Sequence, residues 1–296
     1  MSLSGYMQSG ELLQQAPGKT AEAFRELILD RGRTWFGNHP DERRIISENA
    51  EAFGFSPSDT LLSSIEENIS LHYFEKLVPL CGDPAFLADF VRANVNAGQA
   101  VERVRIELKH GKGVLLATPH FGGIELFGPV ISLGSLPLNA VLRFTTQELS
   151  ERVHAHAERL TNEGPFSEIR FIELGKPGTS AGMEMAAVIR RKEILLTVFD
   201  EKTNYSIPVT LFGKRLWGGA GLDRLVKFSS APITVFVAFM VRTQQNFRYE
   251  LRLVEIAPSE DNLIQDMYDA LQDVLQNNFE QWYFLHEQIP FLEEER

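Results

Sequence analysis

The sequence predicts an α/β fold: a mostly parallel central sheet flanked by helices, with an N-terminal helical cap. Residues 1–100 repeat apolar side chains every three to four positions, as amphipathic helices do, whereas from about Val101 strand-like and helix-like segments alternate. The strand-like segments, such as Gly113–Thr118 and Pro232–Val241, are short continuous apolar runs. Such runs are typical of strands that are buried on both faces of a parallel sheet.

We expect a single domain over residues 1–296, made of the helical cap (1–100) and the α/β core (101–296). The cap helices are predicted at Glu11–Arg31, Asp41–Phe53, Asp59 to about Leu80, and Asp83 to about Ala97. Residues 1–10 are expected to be a loose terminus. The cap has broad apolar faces and no linker-like stretch after it, so we do not expect it to be independent of the core.

The core is predicted to alternate strands and helices, with some antiparallel pairing at one edge. Strands are expected at Arg103–Leu108, Gly113–Thr118, Leu138–Phe144, Ile169–Leu174, Ile194–Phe199, Ile207–Leu211, Pro232–Val241 and Arg248–Ile256. Helices are expected at Glu125–Ser132, Gln147–Asn162, Thr179–Arg191, Gly221–Phe228 and Asp261–Phe284.

Charge and cysteine content narrow the class of protein. The net charge of −11 and the pI of about 5.2 argue against a generic nucleic-acid or anionic-membrane surface. Cys81 is the only cysteine, which excludes an intrachain disulfide and a cysteine-rich zinc site. The histidines have no partners at metal-ligand spacing, so we expect no metal site.

The location predicted from the sequence is the cytoplasm, with room for peripheral contact at the inner face of the membrane. The first residues show no basic segment that leads into an apolar one, as a secretory signal would. No apolar run reaches the roughly 18 residues that a transmembrane helix requires.

The most informative stretch is Gly113–Gly128, which reads GVLLATPHFGGIELFG. A buried strand is ended by a proline, and His120 follows at its carboxyl end, the edge where open α/β sheets bind ligands. Glu125 comes five residues later, in the first turn of a predicted helix. Imidazole is a natural general base near neutral pH, and a carboxylate at its other nitrogen would orient it. The alternative is a turn histidine and an ordinary helix-start acid.

Other features are weaker signals. Asp200 and Glu201 close a predicted strand and would share the edge of His120 if the strands are parallel, although a capping role is the plainer interpretation. Trp217-Gly218-Gly219-Ala220-Gly221 could bind an anion before a helix or simply connect two elements. The basic residues could dock an acidic carrier or form solvated faces; they are Arg103, Arg105, Lys109, His110, Lys112 and Arg190–Lys192. The aromatic run within Gln281–His286 is expected to pin the last helix to the sheet.

The hexapeptide HFGGIE resembles the His-x4-Asp/Glu motif of the lysophospholipid acyltransferase-like superfamily. Its Glu form and the flanking residues are similar to the branch that contains the bacterial lipid A late acyltransferases. The resemblance extends in order over about residues 40–290. It includes Glu42–Asp59, Gly111–Leu126, Arg143 with Arg159-Leu160 and Pro165, Asp200, Val209–Gly213, Gly221, Leu225, Ala231-Pro232, Arg242 and Gln281–His286.

The resemblance implies an acyltransferase with His120 and Glu125 as the catalytic pair. Substrate-binding or oxyanion-stabilising roles are expected for Arg143, Gly122, Gly123, Asp200, Phe212, Gly213 and Arg242. No cofactor is expected beyond the thioester co-substrate, acyl carrier protein or acyl-coenzyme A, and the basic residues favour the carrier protein. The apolar tail of the acyl chain is expected in a groove that phenylalanines line under the cap helices.

Three departures from the family point to an acceptor other than lipid A. The sequence given shows no membrane-anchoring helix. Glu201 replaces the glutamine that usually follows the aspartate, and Trp217-Gly218-Gly219 replaces the threonine that usually precedes the glycine near 221. We therefore expect acyl transfer to a hydroxyl or amine of a small-molecule or lipid intermediate. Two other functions stay open: a hydrolase in which the same base activates water, and a non-catalytic module that binds acyl chains or docks a carrier.

Overall fold

The computed structural model describes residues 2–144, 146–175, 180–203, 206–219, 221–243, 248–257 and 262–292. The α-helices of these ranges are α1 Leu3–Met7, α2 Gly10–Gln15, α3 Ala21–Asn38, α4 Pro40–Ala52, α5 Asp59–Leu77, α6 Pro84–Asn94, α7 Gly98–Lys109, α8 Phe127–Leu133, α9 Gln147–Glu163, α10 Ala181–Arg190, α11 Gly221–Ser229 and α12 Leu263–Asn278. Short 3-10 segments occur at Val78–Leu80, Ile124–Leu126, Phe279–Gln281 and Tyr283–His286.

The predicted α/β class is confirmed. The strands are β1 Val95–Asn96, β2 Gly113–Thr118, β3 Leu138–Leu142, β4 Ile169–Glu173, β5 Ile194–Val198, β6 Ser206–Leu211, β7 Lys214–Gly219, β8 Ile233–Arg242 and β9 Tyr249–Ile256. Seven of them form a sheet in the order β1-β9-β8-β2-β5-β3-β4, in which β8 and β9 pair antiparallel and the other neighbours pair parallel. Strands β6 and β7 form a separate hairpin.

The strand predicted at Arg103–Leu108 is wrong, because this segment belongs to helix α7. Charged and apolar residues alternate here, as is typical of a strand, but the buried residues Val101 and Val104 are three apart, as on one face of a helix. Ile106, which the strand pattern would bury, is 41% exposed. Helical packing against the sheet therefore decides the conformation.

The predicted first helix, Glu11–Arg31, is two helices, α2 and α3. Pro17 and Gly18 separate them, and Gly18 has a φ of +78°, outside the helical region. Residues 3–7, expected to be loose, form α1, which buries Leu3 and Met7. The predicted helices Thr179–Arg191 and Asp261–Phe284 start outside the described residues, and within the described ranges they correspond to α10 and α12.

The cap and the sheet share one core. A single cluster of buried side chains includes Phe24 and Phe74 of the cap helices together with Leu115 and Phe236 of the sheet. No described helix is both long and apolar enough to cross a membrane.

Candidate active site at the carboxyl edge of the sheet

The pairing of β2 with β5 brings His120 to Asp200. The two strands run parallel, with Thr118 opposite Val198. His120 and Asp200 each follow two residues later, so they meet at the carboxyl edge. The His120 Nδ1 lies 2.8 Å from Asp200 Oδ1, and the backbone N–H of His120 donates to Oδ2 at 2.8 Å. The sequence predicts a shared edge for these residues only if the strands are parallel, and it does not predict their hydrogen bond.

Trp282 completes the environment of the Asp200 carboxylate. Its Nε1–H donates to Oδ2 at 3.1 Å, and the carboxylate is fully buried. Burial of a carboxylate is costly unless donors replace its water, and here two donors from His120 and one from Trp282 do so. Sequence reasoning assigned Trp282 to the core only. It is buried, with 2% exposure, but it also fixes the acid.

The hydrogen bond to Asp200 sets the tautomer of His120. Because a carboxylate only accepts hydrogen bonds, Nδ1 carries the proton that it donates, and the lone pair of a neutral ring is on Nε2. Nε2 lies 3.4 Å from Glu201 Oε1, and the ring is 4.7 Å from the Phe284 ring, centroid to centroid. Among the described residues, the polar group next to Nε2 is the Glu201 carboxylate, rather than a hydroxyl or a thiol.

The pKa of His120 is raised above its ordinary value of 6.5. Burial disfavours the imidazolium, but the charge and hydrogen bond of Asp200, then the charges of Glu201 and Glu125, outweigh burial. The site therefore stabilises a proton on His120, as a general base requires once it has taken a proton from its substrate.

This shift in the pKa predicts the pH dependence of activity. A general base must start neutral, so kcat/KM should rise with pH through a midpoint above 6.5, the usual histidine pKa. The Glu201→Gln variant removes one raising charge, and we expect its midpoint to move to lower pH. NMR titration of the His120 ring measures the same pKa without substrate, and an unchanged midpoint would contradict the role assigned to Glu201.

The expected contact between Glu125 and a ring nitrogen of His120 is wrong. The Glu125 carboxylate lies 3.4 Å from His72 Nε2 and 3.8 Å from Lys76 Nζ, both on α5. Glu125 belongs to the 3-10 turn Ile124–Leu126, which packs against α5 after the chain has turned at Gly122, where φ is +55°. Its influence on His120 is a longer-range charge that raises the pKa less than Asp200 and Glu201 do.

We expect the Glu125→Gln variant to lose less than about fivefold in kcat. Its carboxylate contacts His72 and Lys76 rather than His120, so the variant removes only a longer-range charge from the base. Steady-state kinetics measures the change. A loss of a hundredfold would show that Glu125 contacts the reacting groups during turnover.

The backbone N–H groups of Gly122 and Gly123 do not face a substrate, contrary to the expected oxyanion role. Gly122 N–H donates to Gln281 O at 3.0 Å and Gly123 N–H donates to Met240 O at 2.8 Å. A Cβ on Gly122 would collide with Met240 O, so glycine is required for this close approach. The turn is a structural junction between β2, β8 and the 279–286 segment.

Arg242 also has a structural role in place of the expected substrate contact. Its guanidinium donates to both carboxylate oxygens of Glu75, at 2.7 and 2.8 Å, to Asn68 Oδ1 at 3.0 Å and to Gly122 O at 2.8 Å. Burial opposes its charge, but Glu75 raises the pKa of Arg242. Its guanidinium N–H groups are therefore used by interior partners, and the bond to Gly122 O holds the Gly122-Gly123 turn in place.

Phe212 and Gly213 form the turn of the β6–β7 hairpin. Both have positive φ, 47° and 72°, which suits a two-residue hairpin turn. The Phe212 ring packs against Phe53 and Phe55 of the cap. These contacts attach the hairpin turn to the cap, and the apolar groove expected under the cap helices stays a prediction. Residues 217–219, the predicted anion-binding turn, lie in strand β7.

Arg143 follows β3 at the same edge as His120 and is exposed. Its backbone position is compatible with a substrate contact, but no described contact links it to His120. The role of Arg143 therefore stays a prediction. Strand β5 lies between β3, which precedes Arg143, and β2, which precedes His120.

A cleft of about 320 Å³ opens beside the His120–Asp200 pair. Its walls combine aromatic rings with charged side chains. They are formed by Asp200, Glu201, Lys202, Leu216, Trp217, Trp282, Phe284, Glu287, Gln288, Ile289 and Pro290. The sequence predicts an anion-binding or connecting role for Trp217 and a core role for Phe284, but not that they line one cleft, because they are distant along the chain. Glu287 belongs to no motif and was not predicted.

Of the basic residues near β2, Lys112 lies at the opposite end of this strand from His120. Lys112 immediately precedes β2, a strand of six residues that spans about 20 Å. Lys112 pairs with Glu107 at 2.7 Å, and Arg103 donates to Leu253 O at 3.0 Å. These contacts give Lys112 and Arg103 structural partners, and Lys112 lies at the end of β2 that is away from the cleft.

The lone thiol does not suit covalent catalysis. Cys81 is buried, and burial raises its pKa to about 11, so little thiolate forms near neutral pH. Within the described residues, no group of three or more histidine, cysteine, aspartate or glutamate side chains is arranged to hold a metal ion.

No protein-family model matches the chain, and no curated protein matches its sequence. The resemblance to the lysophospholipid acyltransferase-like superfamily therefore depends on the residues of the HFGGIE motif and on the order of the other motifs along the chain.

Proposed function

We propose that the protein is an acyltransferase that moves an acyl chain from a thioester to a hydroxyl or amine acceptor. The His120–Asp200 pair carries this proposal: a buried acid holds Nδ1 while Nε2 is directed toward Glu201 of the cleft. In this reaction Nε2 takes the proton from the acceptor as the acceptor attacks the thioester carbonyl. The imidazolium then gives the proton to the departing thiolate.

The surroundings of Nε2 favour direct transfer over an acyl-enzyme intermediate. Its described polar partner is the Glu201 carboxylate, at 3.4 Å. An ionised carboxylate has no proton for His120 to remove, so His120 cannot activate it as it would a hydroxyl or a thiol. Cys81 is buried in the cap, and burial raises its pKa. The acceptor itself must therefore supply the attacking atom.

Mass spectrometry of thioester consumption tests the proposal. Octanoyl-coenzyme A and an octanoyl carrier protein are incubated with the protein, with and without a cell extract as the source of acceptors, in parallel with His120→Ala. We expect acceptor-dependent loss of thioester that the variant lacks. Equal loss without acceptor would identify a hydrolase. No loss with either donor would contradict catalysis and favour a module that binds acyl chains or docks a carrier.

A further inference from the structure

The geometry around His120 Nε2 limits the kind of acceptor that fits. When His120 is neutral and ready to act as a base, Nε2 is a hydrogen-bond acceptor, and Glu201 Oε1 is another acceptor 3.4 Å away. An alcohol has one O–H and can satisfy only one of these atoms. A protonated primary amine has three N–H groups and can donate to both at once.

The cleft walls also suit a cation. The cleft-lining residues that the structure describes include Trp217, Trp282 and Phe284, and Glu201 and Glu287 supply carboxylates besides the buried Asp200. Aromatic faces, indole above all, attract ammonium groups. These walls would hold an amine that has an apolar body.

One ammonium group already contacts this wall. The Lys202 Nζ lies 5.8 Å from the centroid of the Trp217 ring. Lys202 lines the cleft and is exposed, so its ammonium would have to move into solvent before a ligand cation takes this face. The chain's own lysine thus shows that the Trp217 face accommodates an ammonium ion.

From these contacts we infer that the acceptor is a protonated primary amine with an apolar or aromatic body, bound by Glu201 and presented to His120 Nε2. The inference rests on the proposed acyl transfer and names its acceptor class. Glu201 then determines specificity, and His120 remains the base.

The reaction balances with two protons leaving the acceptor nitrogen. The bound ammonium first releases one proton to solvent, which reaches it past the half-exposed Glu201 carboxylate. The amine nitrogen then attacks the thioester carbonyl carbon and gives its second proton to Nε2. As the C–N bond forms and the C–S bond breaks, the thiolate leaves and takes that proton from His120. The products are an amide, a free thiol and one proton in solution.

Binding and transfer are tested with one pair of probes, phenethylamine and 2-phenylethanol, which differ in the amine and hydroxyl groups. Calorimetry measures the affinity of each probe for the intact protein without a donor. Mass spectrometry with octanoyl-coenzyme A then measures amide, ester and free acid. Both are repeated with Glu201→Gln and with Glu151→Gln, which makes the same charge change on the exposed surface of α9.

We expect phenethylamine to bind about tenfold or more tightly than 2-phenylethanol, since hydrogen bonds to charged groups and cation–π contacts add to its affinity. The preference should disappear in Glu201→Gln and persist in Glu151→Gln. Equal affinities in the natural protein, or an undiminished preference in Glu201→Gln, would overturn the inference.

The same assays separate this inference from the proposed function. If the ester forms as readily as the amide and both probes bind equally, acyl transfer stands and the amine inference fails. If phenethylamine binds selectively through Glu201 but only free octanoic acid forms, the amine site stands and transfer fails.

Discussion

Replacing Asp200 with asparagine is expected to lower kcat by about 10²–10⁴-fold while the fold is retained. An asparagine amide can present its NH₂ group to Nδ1, which would favour the tautomer that has the proton on Nε2. That tautomer has no lone pair at Nε2 to accept the proton of the acceptor. The loss of the negative charge also removes the largest of the influences that raise the pKa of His120.

Steady-state kinetics and NMR titration of the His120 ring test this expectation together. The pKa of His120 should fall in Asp200→Asn, and kcat should fall with it. The matched comparison is Glu125→Gln, which neutralises the acid of the HFGGIE motif and for which we expect a small effect. A larger loss in Glu125→Gln than in Asp200→Asn would show that Glu125, rather than Asp200, supports the base.

Replacing Glu75 with glutamine is expected to reduce the free energy of unfolding by about 3–5 kcal/mol, because it leaves the Arg242 charge buried without its partner. The side chains of Glu75 and Arg242 are 0% and 9% exposed, so water cannot replace the lost carboxylate. Arg242 also holds the carbonyl of Gly122 in the active-site turn. The variant should therefore lose activity at temperatures where most molecules remain folded.

Denaturant unfolding, monitored by circular dichroism, measures the change in stability. Glu67→Gln is the control, because Glu67 is on the same helix and pairs with Arg25 at 3.3 Å, but its side chain is 51% exposed. We expect that variant to change stability by less than about 1 kcal/mol. Similar losses of stability in both variants would mean that the buried Glu75–Arg242 pair stabilises the fold no more than the exposed Arg25–Glu67 pair does.

The strand ends were predictable from the sequence, but the register between them was not. Pro119 and the apolar runs predict His120 and Asp200 at the carboxyl edge, but β2 and β5 are apolar apart from one threonine each. Uniformly apolar strands show no alternation that would specify their pairing. Thr118 pairs with Val198, and His120 and Asp200 each come two residues later. This match is visible only when the two strands are paired.

Spacing along the chain misassigned the partner of His120. Five residues separate His120 from Glu125, but Gly122 turns the backbone at a φ of +55°, so Glu125 meets α5. Trp282 was predicted as a core residue because an aromatic run usually is one. Its buried indole N–H, which needs an acceptor, was the available signal for a second role.

The rate of acceptor-dependent thioester consumption in the double variant His120→Gln, Asp200→Asn tests the central claim most directly. If Asp200 acts only through His120, the double variant should be no slower than His120→Gln alone, because groups that act as one unit are not additive. The natural protein should consume octanoyl-coenzyme A only when phenethylamine is present. Losses that multiply in the double variant, or consumption that needs no acceptor, would contradict acyl transfer by the His120–Asp200 pair.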